Sequence, residues 1–162
     1  MNKIVVGKTV PKFKLPATGD QILSLSDCRN QNVVLYFYPR DNTSGCTLEA
    51  QSFSAGITKF KRLNTRVLGV SRDSLKSHAD FRVKNALKFD LLSDEQEKVC
   101  RLFGVIKQKS LYGRKFLGIE RSTFLIDAKG VLRREWRKVR VSGHVDEVLD
   151  AVRSLAAGVP QA

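Results

Sequence analysis

Apolar and polar positions alternate along most of this chain in short blocks, and one block differs because it does not alternate. Residues 33–38, Val33-Val34-Leu35-Tyr36-Phe37-Tyr38, are continuously apolar, the pattern of a strand buried on both faces of a sheet. Pro39 ends the run, and the residues up to Gly45 carry loop chemistry in Asp41, Asn42 and Ser44. A helical pattern then opens at Cys46, with Ala50, Phe53, Ile57 and Phe60 on one face. Ahead of this unit, short alternating segments around Phe13-Lys14-Leu15 and over residues 21–25, separated by residues 16–20, predict a hairpin. A turn holding Asp27, Cys28 and Arg29 leads into the central strand.

Beyond the Cys46 helix, residues 66–71 predict a second strand and residues 74–85 a second helix, with Leu75, His78, Ala79 and Phe81 or Arg82 near its inner face. Residues 89–92 read as a short strand. Ser93-Asp94-Glu95-Gln96 reads as a capping box opening a helix through Val99, Cys100, Leu102 and Phe103 to Gly104. Residues 110–118, rich in Gly and cations without an apolar period, read as a loop. Residues 122–127 and 131–136 flank Ala128-Lys129-Gly130 as a hairpin. Ser142 is expected to cap a last helix with Asp146 and Glu147 in its first turn, Val145, Val148, Leu149, Val152 and Leu155 inside, and Gly158 and Pro160 beyond its end. Strands alternating with helices, then an antiparallel hairpin and a helix, predict an α/β fold with a mixed sheet covered on both faces. Without repeats or linkers, residues 1–162 are expected to form a single domain.

The cysteines narrow the chemistry. Cys28, Cys46 and Cys100 are odd in number, with no C-x-x-C pair and no zinc-type spacing, which argues against a disulfide framework and a metal site. A lone cysteine is more often a small buried hydrophobe, and Cys28 and Cys100 are read that way. Cys46 differs, because Gly45 and Thr47 flank it at a strand-to-helix turn, where α/β proteins place their chemistry. Free backbone N–H groups and the positive end of the helix dipole favour an anion there, and so a thiolate. His78 is read as a packed side chain.

Charge alters the picture less than its size suggests. Against 16 Asp and Glu stand 29 Lys and Arg, a formal net charge of +13, enough for weak, salt-sensitive attraction to polyanions. The bases are scattered over residues 59–66, 72–88 and 133–140 with no nucleic-acid-reading motif, so a solvated basic surface is expected, with neither a specific nucleic acid nor a membrane as partner. Ile4-Val5-Val6 is too short for a signal peptide or a membrane span, and the cytoplasm is the expected compartment.

Pro39, Thr43 and Cys46 match the Pro-x-x-x-Thr-x-x-Cys signature of peroxiredoxins, with Glu49 at the usual spacing. The run YFYPRDNTSGCTLEA resembles the peroxiredoxin Q, or bacterioferritin comigratory protein, branch, and the likeness extends through VLGVSRDSLKSHADF, FDLLSD, GIERSTFLID and SGHVDEVL. The resemblance implies a thioredoxin-like fold with a peroxiredoxin-type N-terminal hairpin. It implies a thiol-dependent peroxidase acting on hydrogen peroxide and organic hydroperoxides through a Cys46 sulfenic acid. Arg121, which opens RSTFLID, matches the family's active-site arginine and is expected to contact the thiolate and the peroxide. Thr43 and the Cys46 N–H are expected to hydrogen-bond the two oxygens, Pro39 to exclude water and Glu49 to orient Arg121. No cofactor and no metal are implied.

Ser44 departs from the branch's usual proline, and Gln51 stands where many members carry a resolving cysteine. An external thiol, whether thioredoxin, glutaredoxin, glutathione or a small thiol, is therefore the expected reductant, with Cys100 as the leading internal alternative. A monomer is expected, with a dimer as the alternative. A thiol-disulfide oxidoreductase or holdase is disfavoured by the missing C-x-x-C pair. A polyanion-binding relic is disfavoured because Pro39, Thr43, Cys46 and Arg121 all remain.

Overall fold

A computed structural model describes residues 4–158. In chain order these form β1 (Lys14–Ala17), β2 (Gln21–Ser24), a 3-10 turn (Leu25–Cys28), β3 (Asn32–Phe37), α1 (Ser44–Ala55) and α2 (Ile57–Arg62). There follow β4 (Thr65–Ser71), α3 (Leu75–Lys84), β5 (Asp90–Ser93), α4 (Lys98–Leu102), β6 (Ile106–Leu111) and β7 (Arg114–Ile119), then β8 (Ser122–Ile126), β9 (Leu132–Trp136) and α5 (His144–Ala156). Seven strands make one mixed sheet in the order β2-β1-β5-β4-β3-β8-β9, while β6 and β7 pair only with each other.

The continuous apolar run is explained by where β3 lies. It pairs in parallel with β4 and antiparallel with β8, and helices cover one face of the sheet. Val34, Tyr36 and Tyr38 point to that face, against Ala50 and Phe53 of α1, Phe60 of α2, Phe81 of α3 and Val148 of α5. Val33, Leu35 and Phe37 point to the other, against Leu15 of the hairpin and Val99 and Phe103 from around α4. Both faces are dry, so period 2 cannot show as apolar and polar alternation. Tyr36 stacks on Phe53 at 4.6 Å between ring centroids, fastening α1 to the strand. Its ring crosses β4 at Gly69, where a Cβ would lie 2.9 Å from Tyr36 Cζ and 2.9 Å from Leu91 Cδ2; only glycine leaves room.

Several sequence expectations need correction. Ala50, Phe53, Ile57 and Phe60 are all buried on one side, but Gly56 (φ −90°, ψ 2°) breaks the helix into α1 and α2. Residues 110–118 are not a loop: they belong to the β6–β7 hairpin, closed at Tyr112 and Gly113, both at positive φ. Most of this hairpin is exposed, Tyr112 to 96%, so no apolar alternation marks it. Ser93 does not open a helix. It ends β5 and donates its hydroxyl to the Asp73 carbonyl, while α4 starts later, with Asp94 Oδ2 accepting from the Cys100 N–H at 2.7 Å. Ser142 caps nothing, because the N-cap is Gly143 at φ 75°. On α3, capped by Ser74, His78 and Phe81 face inward but Leu75 and Ala79 are exposed. Pro160 lies outside the described residues.

Candidate active site

The chain leaves the end of β3 through Tyr38 and Pro39 and re-enters regular structure at Thr43, the N-cap of α1. Cys46 is the third residue of that helix, and the first backbone bond closing on Thr43 comes from Thr47 N–H at 2.9 Å. The N–H groups of Ser44, Gly45 and Cys46 are thus the free donors of a helix N-terminus. Cys46 itself is only 1% exposed.

Its neighbour comes from far along the chain. β8 runs antiparallel to β3 with Ser122 opposite Phe37, so the residue preceding β8 lies beside the point where β3 gives way to the Cys46 loop. That residue is Arg121. Its Nη2 donates to Cys46 Sγ at 3.5 Å and its Nη1 to Glu49 Oε1 at 2.6 Å. Gly45 permits the approach: a Cβ there would lie 3.2 Å from Arg121 Nη2. Glu49 follows Cys46 by one helical turn, on the same face. Its carboxyl is fully buried; burial pushes its pKa up to about 7 against the opposing charge and hydrogen bond of Arg121. Burial works against the Arg121 charge, but Glu49 and Cys46 more than offset it and hold the guanidinium above its ordinary value. Arginine suits the place, since it stays charged when partly buried and offers several fixed donors.

Of the five residues expected at the site, Cys46, Glu49 and Arg121 are in direct contact. Thr43 stands at the N-cap position of the same helix without a side-chain capping bond; its hydroxyl donates to the Arg40 carbonyl at 3.0 Å. Pro39 is half-buried at the opposite end of the loop. Not anticipated from the sequence is Lys109, itself half-buried on β6. Burial lowers the pKa of its ammonium group, as does the Arg121 charge, while Cys46 opposes them. No signal in the sequence distinguishes Lys109 from the surrounding lysines.

Also missed was a buried polar cluster beneath the loop. Asp41 accepts hydrogen bonds from Tyr38 Oη at 2.6 Å and Ser77 Oγ at 2.8 Å, and its Oδ2 lies 2.8 Å from His78 Nδ1. The Asp41 N–H donates to Asp73 Oδ2 at 2.9 Å, an oxygen that also accepts from Ser71 Oγ. Asp41, Asp73 and His78 place potential metal ligands within 4.8 Å of one another, but these atoms are occupied by internal hydrogen bonds. An inward histidine on α3 and an aspartate five residues before Cys46 were the available signals.

The other two thiols are placed apart. Cys46 belongs to the core on the α1 and α5 face of the sheet, Cys28 and Cys100 to the core on the opposite face. Burial raises both of their pKa values, that of Cys100 strongly, with the Asp94 charge adding to the effect. Gln51 is exposed and donates to Asn85 Oδ1 just beyond α3, at 3.2 Å.

A mixed sheet with a thiol at the strand-to-helix junction, faced by an arginine just ahead of the neighbouring antiparallel strand, defines a thioredoxin-fold thiol enzyme. The AhpC/TSA family model matches residues 6–135. Peroxiredoxin Bcp of Xanthomonas campestris pv. campestris is 50% identical over 124 residues, 76% of this chain and 78% of its own. Among solved structures, a mutant of Xylella fastidiosa PrxQ superposes with a TM-score of 0.90 at 41% identity, covering 96% of this chain and 99% of the other. A structure of the X. campestris bacterioferritin comigratory protein, studied for its alkyl peroxide reduction activity, gives a TM-score of 0.85 at 44% identity, covering 89% of this chain and 92% of that one. The chain belongs to the AhpC/TSA family, in its peroxiredoxin Q or Bcp branch, and is a thiol-dependent peroxidase.

Proposed function

We propose that this peroxiredoxin reduces hydrogen peroxide and alkyl hydroperoxides at Cys46 and is recycled by an external thiol. The observation that carries the reading is the Arg121 guanidinium, shared between Cys46 Sγ at 3.5 Å and Glu49 at 2.6 Å. The Cys46 thiolate attacks the terminal peroxide oxygen; the S–O bond forms as the O–O bond breaks. Sulfur is oxidised by two electrons, and the departing alkoxide or hydroxide takes a proton from solvent to leave as alcohol or water. Arg121 donates to the oxygen on which negative charge develops, where a fixed charged donor is most effective. The Cys46 N–H donates to one peroxide oxygen. Thr43, its own proton committed to Arg40, accepts from the peroxide O–H. Pro39 keeps water from the thiol, and Glu49 fixes the guanidinium plane.

The Cys46 sulfenic acid then condenses with an external thiol, releasing water and leaving a mixed disulfide, which a second thiol reduces. Two features support an external reductant: Gln51 cannot form a disulfide, and Cys28 and Cys100 lie across the sheet in raised-pKa surroundings. Thioredoxin, glutaredoxin and small thiols all fit that chemistry, and a monomer working in the cytoplasm is the simplest setting for it. Among the described residues no helix is long and apolar enough to cross a membrane. Peroxide consumption with excess dithiothreitol tests the proposal. The wild-type protein is expected to turn over and Cys46→Ser to be inactive with an unchanged circular dichroism spectrum; substantial turnover by the variant would overturn the assignment.

A further inference from the structure

The cluster beneath the active-site loop holds a proton whose place follows from the hydrogen bonds. His78 Nε2 lies 2.9 Å from the Leu92 carbonyl oxygen, which only accepts, so Nε2 carries a hydrogen. His78 Nδ1 lies 2.8 Å from Asp41 Oδ2, so a second hydrogen must sit between those two atoms. Asp41 meanwhile accepts from the Tyr38 and Ser77 hydroxyls, as an ionised carboxylate does. Burial works to raise the Asp41 pKa, but the hydrogen bond and charge of His78, with the two hydroxyls, hold it below the ordinary carboxylate value. That second hydrogen bridges Asp41 Oδ2 and His78 Nδ1 in a contact closed to water, both side chains being buried. Among the described residues Tyr38 and Tyr36, whose phenols burial keeps protonated, and Asp73, which binds the Asp41 N–H, also face the pair, and β5 presents the Leu92 carbonyl.

We propose that Asp41 and His78 are positioning residues of the peroxidase: their buried hydrogen-bonded pair latches the Cys46 loop onto α3 and β5 and so holds Thr43 and Cys46 in register with Arg121. The inference rests on the function proposed above. Asp41 lies midway between Pro39 and Thr43, and four hydrogen bonds fix it to β3, to the segment after β4 and to α3. The latch thus joins three separate elements at the one loop that must keep its shape for the thiol to meet its donors. An apolar replacement of His78 leaves the buried Asp41 carboxyl without the His78 hydrogen bond, a costly state that swinging the loop into water relieves. Peroxide attack needs reacting atoms placed to within about 1 Å, and a misplacement of that size costs about a hundredfold in rate.

The test uses the wild-type protein, His78→Leu, and the double variant Asp41→Asn, His78→Leu, which removes both partners together. Single-turnover loss of the Cys46 thiol with hydrogen peroxide is measured by rapid quench, amide hydrogen exchange over residues 40–47 by mass spectrometry, and stability by urea unfolding. Expected is a roughly hundredfold slower thiol oxidation in His78→Leu with faster exchange across the loop. In the double variant unfolding stability should recover while oxidation stays slow, because no unpartnered carboxylate is left buried but the tether is not restored. Oxidation that recovers in step with stability would reduce the pair to a purely structural role and overturn the inference. If His78→Leu fails to fold, proton–nitrogen spectra of the wild type decide: a downfield, slowly exchanging hydrogen should be held between His78 Nδ1 and Asp41, and its absence would overturn the latch. If the wild-type Cys46 itself ignores peroxide, the functional reading fails; if wild type reacts and His78→Leu matches it, only the latch fails.

Discussion

Replacing Glu49 by Gln separates what this side chain costs the fold from what it gives the reaction. Glutamine has the shape of a protonated glutamic acid and keeps an oxygen facing Arg121 Nη1, but it cannot ionise. In the folded protein burial raises the Glu49 pKa to about 7, from an ordinary value of 4.5. A folded-state pKa above the unfolded one means that the folded state holds its proton longer. Stability contributed by this group is therefore fully present below the unfolded value and is lost as pH rises through the interval up to about 7. At 1.36 kcal/mol per pH unit the loss is on the order of 3 kcal/mol. Urea unfolding at pH 5 and pH 8.5 should show Glu49→Gln close to wild type at the lower pH and more stable at the higher, by up to that order. Activity should move the other way. Without the Glu49 charge the guanidinium loses its anchor, and single-turnover oxidation of Cys46 at pH 8 should slow at least tenfold. Parallel stability curves for the two proteins, or an unchanged oxidation rate, would refute the reasoning.

Arg121→Ala removes the cation against Cys46 and should slow thiol oxidation by about a hundredfold to a thousandfold, the usual cost of losing a donor to developing charge. Rapid-mixing kinetics check it, and a near-normal rate would contradict the role. Gly69→Ala should destabilise the fold by about 1–3 kcal/mol through overpacking, because the new methyl meets Tyr36 and Leu91 at 2.9 Å; a neutral effect on the urea midpoint would show that the ring can yield.

The parts of this protein legible in its sequence are those where local chemistry and tertiary packing agree. The 33–38 run, the β8–β9 hairpin and the buried face of α5 carry their patterns because each meets a large dry surface. Cys46 was legible from its place between a buried strand and an amphipathic helix. Arg121 was not, except through the family resemblance. Its contact with Cys46 spans 75 residues and arises from the β3–β8 register, which no local pattern encodes. The β6–β7 hairpin was read as loop because a mostly solvated ribbon has no apolar face to announce it. The capping box at Ser93 failed for another reason. Its hydroxyl was claimed by the Asp73 carbonyl, a partner twenty residues distant, and Asp94 reached past the expected helix start to the Cys100 N–H. His78 reads as a packed side chain and is one, but its pairing with Asp41 is not legible in sequence, because only the packing of α3 against β5 brings the two together.

Treating the reduced protein with one equivalent of hydrogen peroxide, trapping with dimedone and mapping the products by mass spectrometry tests the central claim most directly. The account predicts dimedone on Cys46 alone, with Cys28 and Cys100 still reduced and no internal disulfide. A Cys46–Cys100 disulfide formed in high yield, or modification elsewhere with Cys46 untouched, would contradict it.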